Sequence, residues 1–437
     1  MRGFGAFVRA LAGNAARLGG RGAADGPLTL VLGNESADLD SIVSSIVLAY
    51  ALTLAAGSGA GAAIPVINAR RADMALRPEC DLLLRTTLAA EGGGSGVGDL
   101  TFLDDIDLAA MTQRYAAPGG ASGDGRLDVW LVDHNAPASR LAALEPFVRG
   151  IVDHHVDEGR CLHATWRQIT PVGSCATLVA ARLRELTHTA GPGVVDAPLA
   201  KLLLAAILVD TSNLNPAAQR ATDTDIENVD WLASLVDWRQ PAATVASDAD
   251  AEADIPSLDV GSTAELYRVL DKLKGHVSHL SAEDLLRKDY KQWEVPDAAG
   301  RVWTVGISSV SYRLRKWLKR DGRAGIETAV GAWIASQGLD LALVMTHGKA
   351  KEAKGGDKVY GRDLTVAFAP GSTTPGQRQQ VLQGLRGAEC LGLRSYFGSG
   401  ASADDQALGT CFFVQTRTES SRKQVFPAVK AVVAAVS

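Results

Sequence analysis

Residues 28–56 read LTLVLGNESADLDSIVSSIVLAYALTLAA. The first five are apolar or β-branched and uncharged, the pattern of a strand buried on both faces, and such strands belong to parallel sheets covered by helices. From Ser41 to Ala56 the chain stays apolar for a length that only a buried helix accommodates. Between strand and helix stands GNESADLDS, which carries Asp38 and Asp40 at the turn. Strand, acidic turn and buried helix in that order predict an open α/β sheet with the acids at the strand's carboxyl end, where such sheets collect their ligands.

The same grammar recurs downstream. VWLVD (129–133) and GIVDH (150–154) are further apolar runs that end on acids and histidines, and helices are predicted over 174–187 and 198–209. The fold expected is α/β, a mostly parallel sheet with helices on both faces, followed by a smaller α/β domain with strands at 302–310, 339–347 and 364–369 and a final helix. The boundaries predicted are an N-terminal helix or targeting segment over 1–27, a catalytic domain over 28–240, an acidic linker over 241–263 and a second domain over 264–437. The linker carries Asp248, Asp250, Glu252, Asp254 and Asp259 without a base. Gly-rich stretches at 92–98 and 119–125 read as surface loops.

Composition narrows the function. The 437 residues carry 44 Lys and Arg against 49 Asp and Glu, a net charge of −5, which argues against nucleic acid or anionic lipid as the main partner. The uncharged run after Asp40 reads as a core helix and not a membrane span, since Ser41, Ser44 and Ser45 interrupt it and no basic or aromatic anchors flank it. Five scattered cysteines make neither a disulfide framework nor a zinc module and fit a reducing, cytoplasmic compartment. Arg2, Arg9, Arg17 and Arg21 precede the first acid, Asp25, as in a mitochondrial or other organellar targeting segment, whereas Phe4, Phe7, Val8 and Leu11 also form the stripe of an ordinary amphipathic helix.

The chemistry gathers at the strand ends. Asp38 and Asp40 follow the first strand, Asp133, His134 and Asn135 the second, Asp153, His154 and His155 the third, and Asp210 closes the apolar helix at 198–209. Each is weak alone, because an acid after a strand or helix is often a cap. Together they bring carboxylates and imidazoles to one sheet edge, where mutual repulsion would raise their pKa values unless cations neutralised them. The donor set suits two divalent ions, Mg²⁺ or Mn²⁺, with one carboxylate bridging, and metal-assisted hydrolysis of a phosphate ester or anhydride. GSCAT (173–177) starts a helix whose N–H groups can meet an anion. Cys175 reads as a small core residue rather than a nucleophile.

GNESADLDS, LVDHN, IVDHH, GSCATL and ILVDTSNL, in this order, resemble the motifs of the DHH phosphoesterase superfamily, in the branch of eukaryotic-type exopolyphosphatases, Prune-like proteins and family II pyrophosphatases. KDYKQW (288–293) and SRKQV (421–425) resemble its C-terminal DHHA2 domain. The resemblance implies that Asp38 binds one ion and Asp40 the other, that Asp133 bridges them, and that His154 and Asp210 complete the ligand set of the second ion. It places His155 on the substrate phosphate at the catalytic centre, His134 among the substrate-binding groups, and Lys291, Arg422 and Lys423 as phosphate grips from the second domain. Asn34 stands where family II pyrophosphatases have His, so its carbonyl oxygen would hold the first ion less tightly. That replacement is what the exopolyphosphatase and Prune-like branch shows, and it tilts the implied substrate from pyrophosphate towards linear polyphosphate.

The implied activity is therefore an exopolyphosphatase that releases terminal phosphate through a metal-bridging hydroxide. The same site could instead serve pyrophosphate, short chains or nucleoside polyphosphates, or the protein could be a Prune-like interaction protein with weak hydrolysis. Two basic segments could line a channel for a polyanion: Arg313, Arg315, Lys316, Lys319, Arg320 and Arg323, and Lys349, Lys351, Lys354, Lys358 and Arg362. The sequence leaves the oligomeric state open.

Overall fold

The computed structural model describes residues 3–437 apart from 15–17, 19–26, 58–60, 91–95, 117–125, 240–257, 259, 352–357 and 399–408. The chain divides into two compact units, Met1–Lys274 and Gly275–Ser437.

In the first unit β1 (Leu28–Leu32), β2 (Ile64–Ile67), β3 (Thr101–Phe102), β4 (Leu127–Val132), β5 (Val148–Asp153) and β6 (Trp166–Ile169) form one sheet in the order β3-β2-β1-β4-β5-β6. Every pairing is parallel. The order turns back on itself between β1 and β4, which opens a crevice beyond their carboxyl ends. The helices are α1 (Phe4–Leu11), α2 (Leu39–Ala56), α3 (Pro78–Ala90), α4 (Leu108–Ala116), α5 (Cys175–Ala190), α6 (Ala197–Asp210), α7 (Asp223–Ser234) and α8 (Thr263–Lys274). Sequences as apolar all round as α2 and α6 must be covered on every side, and both lie within the main core. By length and composition α2 could cross a membrane, but most of it is buried inside the unit. Phe4 and Phe7 of α1 pack their rings 5.4 and 5.6 Å from Tyr50 of α2.

The division into compact units falls after α8. Helix α8, assigned from sequence to the second domain, buries Leu266 and Leu270 in the core of the first unit, and the second unit begins at Gly275. An amphipathic stripe shows that a helix packs, not which neighbour receives it. The predicted acidic linker lies almost wholly outside the described residues, as do the glycine-rich stretch 119–125 and most of 92–98.

The second unit holds α9 (Ala282–Lys288), β7 (Tyr290–Pro296), β8 (Val302–Val310), α10 (Leu314–Gln337), β9 (Leu341–Lys351), β10 (Lys358–Phe368), α11 (Pro375–Gly387), β11 (Leu393–Ser395), β12 (Thr410–Gln415) and α12 (Arg422–Ala434). Its sheet runs β11-β12-β10-β9-β8-β7. The β8–β9 pair is parallel and the others are antiparallel; α10 supplies the long crossover that a parallel pair requires. Leu341, Leu343 and Met345 alternate onto one face of β9 and share a core with Val381 and Leu385 of α11 and Val425 and Val429 of α12.

Candidate metal centre

The turn after β1 is built around close contacts. A Cβ on Gly33 would lie 2.5 Å from Ser41 Oγ, and the Asn34 N–H donates to that hydroxyl at 2.6 Å. Asp38 caps α2 by accepting the Ser41 N–H at 3.1 Å. Two residues on, Asp40 is completely buried. Its Oδ1 accepts from Ser174 Oγ at 2.8 Å, the Ala176 N–H at 2.8 Å and Ser44 Oγ at 3.3 Å, while Oδ2 accepts the Cys175 N–H at 2.7 Å. The anion expected at the amino end of GSCAT is thus a side chain of this same protein. Burial first, and then the Asp133 carboxylate, push the Asp40 pKa up to about 6 against the donors' pull.

Asp133 follows β4 with φ 62°, the left-handed region that Asp tolerates better than most side chains. Asn34 Nδ2 donates to its Oδ2 at 2.5 Å and to its carbonyl at 3.2 Å. Asn34 Oδ1 in turn accepts the N–H groups of Ser36 and Ala37 at 2.9 and 3.2 Å. The Asn34 oxygen, expected to face the first ion, is engaged here by two backbone N–H groups. Backbone donors claim the oxygen, so the amide presents its nitrogen to Asp133 and clamps that carboxylate.

From β5, His154 Nδ1 lies 3.0 Å from the Val172 carbonyl. A carbonyl can only accept, so Nδ1 carries the proton and Nε2 offers its lone pair. Nε2 lies 3.2 Å from Asp133 Oδ1 and 3.8 Å from Asp40 Oδ2. His155 Nδ1 is bound at 2.8 Å to Asp153 Oδ1, which also accepts the N–H groups of both histidines. Burial opposes ionisation of Asp153, but the hydrogen bond and charge of His155 outweigh it and hold the carboxyl well below the usual range. Asn135 Nδ2 donates to Asp153 Oδ2 at 2.6 Å. Asp153 and Asn135 stand in the strand-end cluster read from the sequence, but no individual role was assigned to either; an acid as the last residue of a strand, directly before two histidines, was the available signal.

Asp210 ends α6, half-buried, with its carboxyl raised by burial first and then by Asp40 and Asp38, against the pull of the Lys274 ammonium. Among the described residues two groups bring ligand atoms within 4.8 Å of one another: Asp40, His154 and Asp210, and Asp133, His154 and His155. Asp38 falls in neither group, yet its charge is felt by Asp40 and Asp210. His134 is outside both as well, with Nδ1 turned back 2.8 Å from the Val132 carbonyl. The Cys175 thiol donates to the Val152 carbonyl at 3.2 Å, and burial first, then Asp40, push it up, which leaves a poor nucleophile. Carboxylates whose pKa values are raised by burial and by neighbouring acids, beside an imidazole with its lone pair turned inward, are the donor set that suits a divalent cation.

In the second unit Lys291 lies on β7, half-buried, and Lys423 is exposed at the start of α12. Arg422 does not stand alone: its guanidinium pairs with Asp289 at 2.6 Å and donates to the Asp289 carbonyl at 3.2 Å. Trp293 stacks on Phe426 at 4.0 Å, so Lys291, two residues earlier, shares the face of β7 that α12 covers. The first basic segment is partly neutralised from within. Arg313 pairs with Asp363 at 3.1 Å, Arg320 with Asp321 at 2.7 Å and Arg323 with Glu327 at 2.8 Å. In the second, Arg362 is buried and donates to the Thr418 carbonyl at 2.7 Å, Lys349 is exposed, and the side chains of Lys351, Lys354 and Lys358 lie outside the described residues.

Residues 29–207 match the family model of the DHH family, N-terminal domain, and residues 268–432 that of the DHHA2 domain. A Schizosaccharomyces pombe protein named "Putative exopolyphosphatase" is 33% identical over 331 residues, 72% of this chain and 71% of that protein. Exopolyphosphatase PRUNE1 of Rattus norvegicus is 32% identical over 297 residues, 68% of this chain; the match spans 55% of the length of the rat protein. The solved structure of a Methanococcus jannaschii protein described as a putative family II inorganic pyrophosphatase superposes with a TM-score of 0.57 over 93% of this chain and 99% of that one, at 20% identity, a likeness of fold.

Proposed function

The chain belongs to the DHH family with a C-terminal DHHA2 domain, and from that premise we propose that it is a divalent-metal-dependent exopolyphosphatase removing terminal orthophosphate from linear polyphosphate. The observation that carries this reading is the convergence of Asp40, His154 and Asp210 within ligand distance, with Asp133 on the same imidazole nitrogen. Relatives named exopolyphosphatase, together with Asn34 in place of a histidine, support a chain substrate over pyrophosphate.

A single imidazole nitrogen binds one ion. His154 Nε2 would therefore join Asp40 and Asp210 around one cation, and Asp133, which faces the same nitrogen, would bridge to a second held with Asp38. When bound, two such ions neutralise phosphate charge and make a water acidic enough to react near neutral pH. The protein's own groups do the rest. Asn34 and the amino end of α5 hold Asp133 and Asp40 in place before substrate arrives. His155, oriented through Nδ1 by Asp153, would donate from Nε2 to a phosphoryl oxygen as an imidazolium. Lys291, Arg422 and Lys423 would take the oxygens of the following phosphates, Arg422 through its planar fork. Water oxygen bonds to the terminal phosphorus as the bridging P–O bond breaks; the electron pair of that bond leaves on the shortened chain, one water proton stays on the released orthophosphate and the other passes to solvent.

Phosphate release from pyrophosphate, tripolyphosphate and chains of tens of phosphates, with Mg²⁺, Mn²⁺ or chelator, tests the reading. Long chains should be hydrolysed fastest and chelator should stop the reaction. Faster turnover of pyrophosphate, or activity indifferent to chelator, would overturn it.

A further inference from the structure

Asp225, in the first turn of α7, is completely buried. Part of its hydrogen bonding is ordinary helix capping, since Oδ2 accepts the Thr222 N–H and hydroxyl, both at 2.7 Å. Two further bonds go well beyond a cap. Oδ2 accepts the Gly173 N–H at 2.8 Å and Oδ1 accepts the Thr177 hydroxyl at 2.5 Å, partners 52 and 48 residues away in the chain. Gly173 and Thr177 bracket Ser174, Cys175 and Ala176, the three consecutive residues that donate to Asp40. One buried carboxylate therefore grips both ends of the segment whose middle holds a candidate metal ligand.

The packing leaves this segment little freedom. A Cβ on Gly173 would fall 2.5 Å from Thr211 Cγ2, 2.8 Å from Asp225 Oδ2 and 2.9 Å from the Arg220 carbonyl. Thr211 is fully buried and directly follows Asp210. The backbone at 173 is thus wedged between Asp225 and the residue next to Asp210, while the following three residues fasten Asp40. Asp40 and Asp210 sit in the same ligand group with His154. Carboxylates that bind a cation must be held to within about half an ångström, and losing a partner that holds one typically costs about 10- to 100-fold in metal affinity.

We propose that Asp225 is a positioning residue of the metal centre, clamping the amino end of α5 so that its three donors stay on Asp40 and the Asp40–Asp210 spacing is set before any cation binds. The inference rests on the metal-centre reading above.

The test is Mn²⁺ affinity of chelator-stripped full-length protein, followed by the electron paramagnetic resonance signal of free Mn²⁺, under conditions where circular dichroism shows each variant folded. Asp225→Ala should bind Mn²⁺ about 10- to 100-fold more weakly. Asp225→Asn should stay close to wild type, because its oxygen can still accept from Gly173 and Thr222 while its NH₂ donates to the Thr177 hydroxyl oxygen. Thr222→Ala removes the capping hydroxyl but leaves both long-range bonds, so it should lower the melting temperature without changing affinity. Wild-type affinity in folded Asp225→Ala, or an equal loss in Thr222→Ala, would reduce Asp225 to a helix cap and overturn the proposal. If Asp225→Ala does not fold, Thr177→Val releases one end of the bracket; weakened binding supports the clamp and unchanged binding refutes it. Failure of wild type itself to bind Mn²⁺ would instead bring down the metal centre.

Discussion

Stripping divalent ions should make the protein lose stability as the pH rises, and restoring them should remove most of that loss. The cause is Asp40, whose carboxyl is fully buried and raised from 3.8 to about 6. A carboxyl with a folded pKa above its unfolded one binds its proton more tightly in the native state. The native state therefore loses stability as the pH climbs from about 4 through about 6, and the full penalty persists above that range. The rise from 3.8 to about 6 corresponds to ~3 kcal/mol at ~1.4 kcal/mol per pH unit. Asp210 is shifted in the same direction but is only half-buried, so the magnitude rests on Asp40. Asp153, held below the usual carboxylate range, exerts its opposite effect at lower pH, outside this window. For the first unit, residues 1–274, an unfolding entropy of ~2.1 cal/mol/K per residue turns ~3 kcal/mol into a melting shift of about 5 °C. Scanning calorimetry of chelator-treated protein between pH 4.5 and 8 should show the first unit's transition falling by about 3 to 4 °C, since roughly a third of the penalty is already present at pH 4.5. Added Mn²⁺ should raise it more at pH 8 than at pH 5. A metal-free melting temperature that is flat or rising across the window would refute the picture of uncompensated buried carboxylates.

Two substitutions probe the reaction itself. Asp133→Ala removes the carboxylate that faces His154 Nε2 and the Asn34 amide, and polyphosphate turnover should fall by at least ~10²–10³; near-wild-type rates would contradict the site. Arg422→Ala leaves Asp289 without its guanidinium partner and deletes a phosphate donor. It should raise KM for polyphosphate by about 10- to 100-fold, the scale of one charged hydrogen bond, with a smaller effect on kcat, and an unchanged KM would exclude Arg422 from substrate binding.

Much of the site was legible because its residues sit where local rules place them. An apolar run ending in an acid marks a strand's carboxyl end, and Asp133 and Asp153 follow that rule at β4 and β5, whereas Asp38 lies six residues past β1, at the cap of α2. Asp210 closes a helix apolar all round, which is visible as a one-dimensional pattern. Less was legible where strands are short: β3 has two residues and β6 four, too few to display a period. The packing of α8 on the first unit was equally hidden, because its stripe is compatible with either core.

The sequence by itself determined which side chains reach the rim of the first sheet, since a strand's length and polarity fix where it stops. Tertiary structure alone decided what those side chains do there. Asn34 and Asp133 are 99 residues apart, and Asp40 and Cys175 are 135 apart. A hydrogen bond across such a separation leaves no trace in local periodicity. Whether the Asn34 oxygen faces a cation or a backbone N–H, and whether the amino end of α5 meets substrate or Asp40, depends on how two distant turns pack. Only the folded chain specifies that.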